Sequence, residues 1–456
     1  MIKKYTDHLL LMSLALGLWS CEPNVDTFVP SHGSADFTKF IAIGDSYTAG
    51  YTDGALGRRG QEESFSYILG KQLMYAGSES FNQPLVKSEA SVGTTVLAEN
   101  QNNGYFELKV VDGAFKPVPV LGDMGIFTES VYSANNQNFG VPGAKVTHLA
   151  LEAPYPPYST LNPFFKRFAS TPEATVMGDA LAAHPTFVSL WIGNNDVLGY
   201  ALAGGEDDEI TDVALFAGLI DQYAGAIAAG GAKAVMGNIP AIESIPYFNT
   251  VAYNVLPLDA DKAAQLNAGY TKYNEGVDLY NSQVPENMQL PYISFQEGAN
   301  ALIIEDEDYP INGMRQIKTD EKLVLTLPSD KIANEGWGTM VPVPAEYVLD
   351  EEELEDIDVA TKAYNTAIKA TCEKYGFAMV DLNKKMEELS TTGLIIDGHR
   401  YTSQFVTGGV FSLDGIHATG RGSAIIANAF IDAINAKFNA SVPRANINDY
   451  NTVEFP

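Results

Sequence analysis

Short apolar segments alternate with helical patterns along most of the chain. Four of these segments contain almost no polar residue, and they span residues 40–43, 187–192, 234–236 and 377–380. Runs of this kind are typical of strands that are buried on both faces of a parallel sheet. The sequence therefore predicts an α/β fold in which helices cover both faces of the sheet.

Two helices are predicted from apolar residues that recur at helical spacing. One stripe lies between the second and third strands and consists of Phe216, Leu219, Ile220, Tyr223 and Ile227. Another stripe, Ile426, Phe430 and Ile434, belongs to a helix predicted over 422–438. The acidic run at 350–358 predicts the start of a further helix, because carboxylates stabilise helix N-termini.

Two stretches interrupt this alternation, and we interpret them as insertions on the core sheet at about 77–135 and about 296–349. The first contains strand patterns on both sides of Asp112-Gly113, which predicts a hairpin with a type I′ turn. The second contains an apolar pattern at 322–327 that predicts another strand. Neither stretch is predicted to form an independent domain.

Residues 1–20 are typical of a signal peptide. Lys3 and Lys4 precede a mostly apolar run at 9–18, which is too short to cross a bilayer, since a spanning helix needs about 20 residues. The run is followed by Leu18-Trp19-Ser20-Cys21, which resembles the lipobox of bacterial lipoproteins, although Trp19 replaces the small residue preferred there.

The lipobox resemblance implies that Cys21 is acylated and becomes the new N-terminus. Residues 21–36 would then be the lipidated cysteine and a tether rich in turn-forming residues, and the folded domain would cover 37–456. We expect an exported protein that is anchored to the bacterial cell envelope, at the outer membrane, through this lipid alone. The simpler alternative is an ordinary signal peptide in which Cys21 is incidental.

Composition narrows the classes of function. A formal net charge of −29 argues against a nucleic-acid partner, because an acidic surface repels phosphates. The only other cysteine is Cys372, so acylation of Cys21 would leave no disulfide in the mature domain. The sequence contains no His-Glu-x-x-His motif and no cluster of Cys and His, and it therefore predicts neither a metal site nor a cofactor.

A candidate nucleophile lies at the end of the first predicted strand. Ser46 belongs to a Gly-Asp-Ser motif at 44–46, where open α/β sheets place their sites. Its own backbone N–H, close to a predicted helix start, could face an anion. By itself the motif is also compatible with a plain turn in which Asp45 and Ser46 cap a helix.

A candidate base lies near the end of the chain. Asp414 precedes His417 by three residues, so one turn lets the carboxylate hold one ring nitrogen while the other nitrogen accepts the Ser46 proton. Asp397 and His399 form a rival pair in a polar, Gly-rich segment. We favour His417 because it leads into the amphipathic C-terminal helix, which would fix the position of its loop.

Candidate oxyanion donors follow two further segments. Asn195 lies in a Gly-Asn-Asn-Asp motif directly after the predicted strand at 187–192, where its amide could donate to a developing oxyanion. Gly143 lies in a turn rich in Gly and Pro, and the lack of a side chain would allow its N–H a close approach. Gly140 in the same turn is an alternative.

Together these four segments resemble the conserved blocks of the SGNH (GDSL-type) hydrolases in order and in spelling. The resemblance implies a three-layer α/β/α, flavodoxin-like sheet of about five parallel strands. It also implies that Ser46 is the nucleophile and an oxyanion donor, that Gly143 and Asn195 are the other donors, and that Asp414 and His417 complete the catalytic set. Two departures are a long interval before Gly143 and Ala418 in place of the usual Pro.

The expected activity is that of a serine esterase that hydrolyses acyl or acetyl esters of lipid or carbohydrate through an acyl-enzyme. Aromatic residues at 155–168 could line a substrate cleft, although packing on the core is an alternative role for them. The alternative to an enzyme is a surface lipoprotein that binds glycan or protein on the same scaffold.

Overall fold

The computed structural model describes residues 28–87, 93, 96–98, 101–111, 113–150, 162–206 and 208–456. The predicted signal peptide, Cys21, Asp112 of the predicted turn, Tyr155 and Tyr158 lie outside these residues. In the described part of the chain, none of the helices combines the length and the apolar composition needed to cross a membrane.

The strands and helices are labelled in chain order. The strands are β1 Phe40–Gly44, β2 Tyr51–Thr52, β3 Ala55–Leu56, β4 Val96–Ala98, β5 Gln101–Val111, β6 Ala114–Leu121, β7 Asn138–Gly140, β8 Phe187–Trp191, β9 Lys233–Gly237, β10 Leu256–Leu258, β11 Gly298–Asn300, β12 Ile303–Glu305, β13 Met314–Gln316, β14 Lys322–Leu323, β15 Val348–Leu349, β16 Ala378–Val380, β17 Leu394–Ile396 and β18 His399–Tyr401. The α-helices are α1 Ser46–Ala49, α2 Arg58–Glu62, α3 Phe65–Met74, α4 Pro163–Lys166, α5 Val176–Ala182, α6 Asn195–Leu202, α7 Val213–Ala229, α8 Ala260–Gly269, α9 Thr271–Asn281, α10 Ser329–Glu335, α11 Glu351–Tyr375, α12 Leu382–Thr391 and α13 Gly420–Phe438.

The core of the molecule is a five-stranded parallel sheet in the order β16-β9-β8-β1-β7. Numbered along the chain, these strands lie in the order 2-1-3-4-5, which is the flavodoxin-like arrangement. All five residues of β1 and of β8 are buried, as expected of strands that are covered on both faces. The predicted three-layer α/β/α fold is confirmed.

One core strand was missed by the sequence patterns. β7 has only three residues, Asn138-Phe139-Gly140, and it pairs with β1 from Ala42 to Gly44. The sequence predicts a turn here, because a single apolar residue between Asn and Gly gives no strand signal. The pairing with β1, rather than local propensity, makes it a strand.

The helices form two layers. α3 packs with α13 on one side of the sheet, and α7 packs with α11 on the other. The predicted stripes lie on α7 and α13, where all of their residues are buried except Leu219 and Ile426, which are half-buried. The acidic run begins α11 through a capping box, in which Asp350 accepts from Glu353 N–H and Glu353 accepts from Asp350 N–H.

The two predicted insertions contain structure of their own. β5 and β6 form an antiparallel hairpin in which Val111 pairs with Ala114, around the predicted turn. The segment 296–349 belongs to a second hydrophobic cluster that starts at Leu256 and includes residues of α8 and α9. The strand predicted at 322–327 is shorter than expected: β14 has two residues, because Leu325 N–H turns away to bind Tyr247 O.

The close packing of β7 against α1 can be tested with Gly140→Ala. An added Cβ would lie 2.2 Å from Ala49 N and 2.5 Å from Thr48 C, so the backbone would have to move. We expect a loss of about 1–3 kcal/mol, as for other overpacked sites. Thermal denaturation followed by circular dichroism measures the effect.

Gly218→Ala is the matched control for that substitution. Gly218 lies in α7, and a Cβ there would meet nothing within 4 Å, so its helix propensity should raise stability by up to about 1 kcal/mol. An unchanged melting temperature for Gly140→Ala would contradict the packing described here.

Candidate active site

The sheet brings three of the predicted site residues to one edge. β1 lies between β7 and β8, and Gly44 at its end is in register with Gly140 on one side and Trp191 on the other. Ser46, Gly143 and Asn195 follow these three strand ends within two to four residues. They therefore emerge side by side at the carboxyl edge of the sheet, where open α/β folds bind ligands.

Ser46 is the first residue of the short helix α1. Asp45 caps this helix, and its carboxylate accepts a hydrogen bond of 3.0 Å from Tyr47 N–H. Ser46 is 7% exposed, and no described residue accepts a hydrogen bond from its backbone N–H. Ser46 thus presents a hydroxyl and a free backbone donor at the same edge.

The side chains of Ser46, His417 and Asp414 form a continuous series. His417 Nε2 lies 2.8 Å from Ser46 Oγ, and His417 Nδ1 lies 2.9 Å from Asp414 Oδ2. With the proton on Nδ1, where the carboxylate accepts it, Nε2 is free to take the hydroxyl proton of Ser46. This is the geometry that activates a serine as a nucleophile.

Five hydrogen bonds hold the carboxylate of Asp414. Oδ1 accepts from Ser412 Oγ at 3.0 Å, Ile416 N at 2.9 Å and His417 N at 2.8 Å. Oδ2 accepts from Gly54 N at 2.8 Å and is the partner of His417 Nδ1. Although burial by itself would raise the pKa of Asp414, His417 and these donors hold it well below its usual value. Asp414 is therefore an anion that can stabilise an imidazolium.

Residues near Ser46, which no sequence motif marks, hold the loop that carries His417. Tyr47 OH donates to Ile416 O at 2.5 Å, and Thr52 Oγ1 donates to Ala418 O at 2.9 Å. The ring of Tyr51 lies 4.8 Å from the imidazole, centroid to centroid. These contacts join positions more than 360 residues apart, and no local pattern marks them.

The Asn-Asn-Asp segment after β8 is hydrogen-bonded to the segments that follow β1 and β7. Asn194 Nδ2 donates to Asp45 Oδ2 at 2.8 Å, and Asn195 Nδ2 donates to Ala144 O at 2.9 Å. Asp196 Oδ2 accepts from Val146 N at 2.9 Å. The sequence predicts a role for Asn195 only. Asn194 and Asp196, the polar residues on either side of it, could have been predicted as supports, because an amide can donate a hydrogen bond and a carboxylate can accept one.

Of the two candidate glycines, Gly143 has the available donor. Gly140 N–H is already bonded to Asn138 Oδ1 at 2.9 Å. Gly143 adopts a positive φ of 77°, no described residue accepts from its N–H, and a Cβ there would meet nothing within 4 Å. The neighbouring bond from Asn195 to Ala144 places the Asn195 amide beside Gly143.

Burial raises the pKa of two further carboxyls at this edge. The pKa of Asp45 rises to about 6, and the Asn194 amide only partly offsets the desolvation. The pKa of Asp196 also rises to about 6 for the same reason. Both side chains act as hydrogen-bonding supports between strand ends.

The rival pair lies elsewhere on the surface. Asp397 and His399 belong to the turn and second strand of the β17–β18 hairpin, and both are exposed. It is His417, and not His399, that is hydrogen-bonded to Ser46. The described aromatic residues of the predicted cleft segment, Phe164, Phe165 and Phe168, are at most 3% exposed and pack in the core.

A parallel α/β sheet that carries a Ser–His–Asp series at its carboxyl edge defines a serine hydrolase. The GDSL-like lipase/acylhydrolase family model matches residues 40–314, more than half of the chain, and the chain belongs to this family. The protein is therefore an ester-cleaving serine hydrolase. The matched region includes Ser46, Gly143 and Asn195 and ends before Asp414 and His417, which the fold returns to Ser46.

Several solved structures resemble the chain at low similarity. An α/β-hydrolase enzyme from the metagenome of Lake Arreo, Spain, is 12% identical with a TM-score of 0.35, covering 88% of this chain and 97% of that one. A catalytic mutant of Axe2, an acetylxylan esterase from Geobacillus stearothermophilus, is 11% identical with a TM-score of 0.34, covering 88% and 95%. An extracellular lipase from Streptomyces rimosus is 11% identical with a TM-score of 0.32, covering 87% and 99%. Comparison with curated proteins gave no significant match.

No group of three or more His, Cys, Asp or Glu side chains among the described residues is arranged to hold a metal ion. The non-enzymatic alternative is not favoured, because the chain belongs to a family of acylhydrolases.

The contact between His417 and Ser46 predicts how two histidine variants differ. His417→Ala should lower kcat/KM by about a thousandfold or more, as when one member of a catalytic triad is removed. In the wild type, kcat/KM should fall as the pH is lowered, because an imidazolium cannot accept the serine proton. Initial rates on a chromogenic acetyl ester, measured against pH, give both quantities.

His399→Ala is the matched control, because His399 is an exposed histidine that also has an aspartate two residues before it. It should retain wild-type kcat/KM and the same pH profile. A nearly unaffected His417→Ala together with an inactive His399→Ala would transfer the role of base to the Asp397/His399 pair.

Proposed function

We propose that the protein hydrolyses carboxylic esters through an acyl-enzyme formed on Ser46. The observation that carries this proposal is the 2.8 Å contact between Ser46 Oγ and His417 Nε2, backed by the 2.9 Å contact between His417 Nδ1 and Asp414. In acylation, Ser46 Oγ attacks the ester carbonyl while Nε2 takes its proton. His417 then gives this proton to the departing alcohol, and a water molecule, activated in the same way, releases the acid.

The oxyanion is proposed to be held by Ser46 N–H, Gly143 N–H and the side-chain amide of Asn195. The proposal is supported by the two backbone donors, which bind no described residue, and by their common origin at adjacent strand ends. Asn195 Nδ2 carries a second hydrogen besides the one that it donates to Ala144 O. A single donor of this kind is worth about 3 kcal/mol in other serine hydrolases.

The export and the anchor are proposed on the N-terminal sequence. We infer that residues 1–20 are removed as a signal peptide, and that acylated Cys21 attaches the enzyme to the bacterial envelope, at the outer membrane. Membrane contact is then through the lipid alone. A single acyl chain binds membranes only marginally, so stable attachment needs more than one.

The position of residues 31–37, where the tether would join the domain, indicates which substrates an anchored enzyme would meet. Ser34 N–H donates to Phe438 O, Ser441 N–H donates to Ser31 O, and Phe37 packs edge-on against Phe187 at the start of β8. These contacts hold residues 31–37 at the amino edge of the sheet, one strand length, or about 16 Å, from the edge that carries Ser46.

In an anchored enzyme, the tether would therefore join the domain at the edge of the sheet opposite the active site. We therefore favour esters presented from the solvent side, and acetyl groups on carbohydrate before long acyl chains in the anchoring bilayer. Lipid esters remain the other substrate class of this proposal.

The function is tested by Ser46→Ala on a series of esters of increasing acyl length, run beside acetylated polysaccharides. We expect the variant to lose turnover on every ester by at least about a thousandfold while its melting temperature stays near wild type, because the hydroxyl acts as the nucleophile. The wild type should prefer acetyl over long acyl groups.

Ser282→Ala, which changes an exposed serine at the end of α9, is the control. Wild-type turnover by a folded Ser46→Ala would refute the acyl-enzyme, and a preference for long chains would refute the acetyl assignment.

The anchor is tested separately by fractionating cells that express the full chain. Cys21→Ala should move the protein from the membrane fraction to the soluble fraction, because acylation needs the thiol. Cys372→Ala is the matched control, since this buried free cysteine is the only other one in the chain. Retention of Cys21→Ala in the membrane fraction would remove the lipoprotein assignment.

A further inference from the structure

Four consecutive residues in the β2–β3 hairpin all contact the loop that carries Asp414 and His417. Tyr51 packs its ring beside the imidazole, and Thr52 donates to Ala418 O. The next two residues, Asp53 and Gly54, reach the start of the loop. The hairpin is therefore a support for this loop, although it belongs to a different part of the sequence.

Asp53 binds the loop through both its backbone and its side chain. Its backbone N–H donates to Ser412 Oγ at 3.0 Å, and its carboxylate oxygen Oδ1 accepts from Leu413 N–H at 3.0 Å. Ser412 and Leu413 are the two residues that precede Asp414. A single residue thus holds, through its backbone N–H and its carboxylate, the two residues from which the Asp414 side chain follows.

Two connections lead from Asp53 to Asp414, one through a hydrogen bond and one through the backbone. In the first, Asp53 N–H orients the Ser412 hydroxyl, which donates to Asp414 Oδ1 at 3.0 Å. In the second, the conformation of Asp53 directs the next amide, Gly54 N–H, to Asp414 Oδ2 at 2.8 Å. Gly54 donates to the same oxygen that His417 Nδ1 contacts, so these paths set both the position and the charge distribution of the carboxylate.

The backbone of Asp53 adopts a conformation that few residue types favour. Its φ is +52°, a left-handed value that is uncommon for residues other than Gly and that Asp and Asn adopt most readily. The residue is 9% exposed, and burial raises the pKa of its carboxyl to about 6 against the lowering effect of Leu413 N–H. The charged groups around it are Asp414, Glu454 and Arg59, whose Nη2 lies 3.5 Å from Oδ2.

The inserted β5–β6 hairpin holds Asp53 from the other side. Phe106 N–H donates to Asp53 O at 2.7 Å, and the Phe106 ring covers Gly54, where an added Cβ would lie 2.6 Å from it. Leu108 of the same strand packs with Leu413 in a small apolar cluster. The insertion thereby fixes the turn that contacts the catalytic loop.

We propose that Asp53 is a positioning residue of the esterase, which holds the Asp414 carboxylate in register with His417 through Leu413, Ser412 and Gly54. The proposal rests on the proposed roles of Asp414 and His417. A residue of this kind changes kcat while KM stays the same, because it contacts no substrate and acts on proton transfer alone. A residue needed only for stability would change the amount of folded enzyme and would leave the kcat of the folded fraction unaltered.

The experiment compares Asp53→Gly and Asp53→Asn in the full-length enzyme, with kcat and KM on a chromogenic acetyl ester and active-site concentration from burst titration. Asp53→Gly keeps the left-handed backbone without strain and removes the acceptor for Leu413 N–H. We expect its kcat to fall by about tenfold to a hundredfold at unchanged KM. Asp53→Asn keeps both an acceptor oxygen and the backbone preference, and it should stay within about threefold of wild type. Asp397→Gly is the matched control, because Asp397 has nearly the same φ, +50°, in the exposed β17–β18 turn.

A second measurement asks whether Asp53 acts through Asp414. In an Asp414→Asn background, Asp53→Gly should lower the remaining kcat by less than twofold, because its target is already absent. Three outcomes would each overturn the proposal. The first is a further tenfold loss of kcat when Asp53→Gly is added to Asp414→Asn. The others are a wild-type kcat for Asp53→Gly alone and equal losses for Asp53→Gly and Asp53→Asn.

Two controls keep this result separate from other failures. Should Asp53→Gly not fold, Ser412→Ala carries the same test, since Ser412 Oγ links Asp53 N–H to Asp414 Oδ1. Failure of the proposed function itself would be recognised by Ser46→Ala, which would then retain turnover whatever Asp53 does.

Discussion

β1 runs through the interior of the parallel sheet, hydrogen-bonded to β7 on one side and to β8 on the other. Because parallel strands in register end at the same edge, the residues that follow them must share that edge. Gly44 cannot carry a side chain here, since a Cβ would lie 2.3 Å from Trp191 O. Ser46, Gly143 and Asn195 are neighbours for this reason, and the bonds of Asn194 and Asp196 to adjoining strand ends lock the three segments together.

The long apolar strands could be predicted from the sequence because strands that are buried on both faces consist of consecutive apolar residues. β7 could not, because three residues with one apolar side chain have no period, and pairing with β1 decides their conformation. The second hydrophobic cluster was recognised only in part for a similar reason. Its helices α8 and α9 bury few residues each, and the residues that they bury pack with segments far along the chain.

In the candidate site too, short motifs could be recognised in the sequence, whereas contacts between residues far apart in the chain could not. Ser46, Asn195, Asp414 and His417 lie in short motifs whose residue types fit the chemistry, so the motifs could be found without a structure. The role of the β2–β3 hairpin could not, because Asp53 and Gly54 carry no pattern that relates them to Asp414. Their bonds cross 360 residues of chain, and only the return of the last loop to β1 creates them.

Four buried carboxyls lie near this edge, and they differ in the charges and the hydrogen-bond donors that surround them. Burial raises the pKa of Asp45, Asp53 and Asp196 to about 6, since the hydrogen bonds and charges around each carboxyl only partly offset the lost hydration. Asp414 has five donors, and its pKa moves in the opposite direction. A carboxylate must remain charged beside the imidazole if it is to stabilise the imidazolium that proton transfer creates. The charge and hydrogen bond of His417, together with the backbone N–H groups of Ile416 and His417, outweigh burial and keep Asp414 in this form.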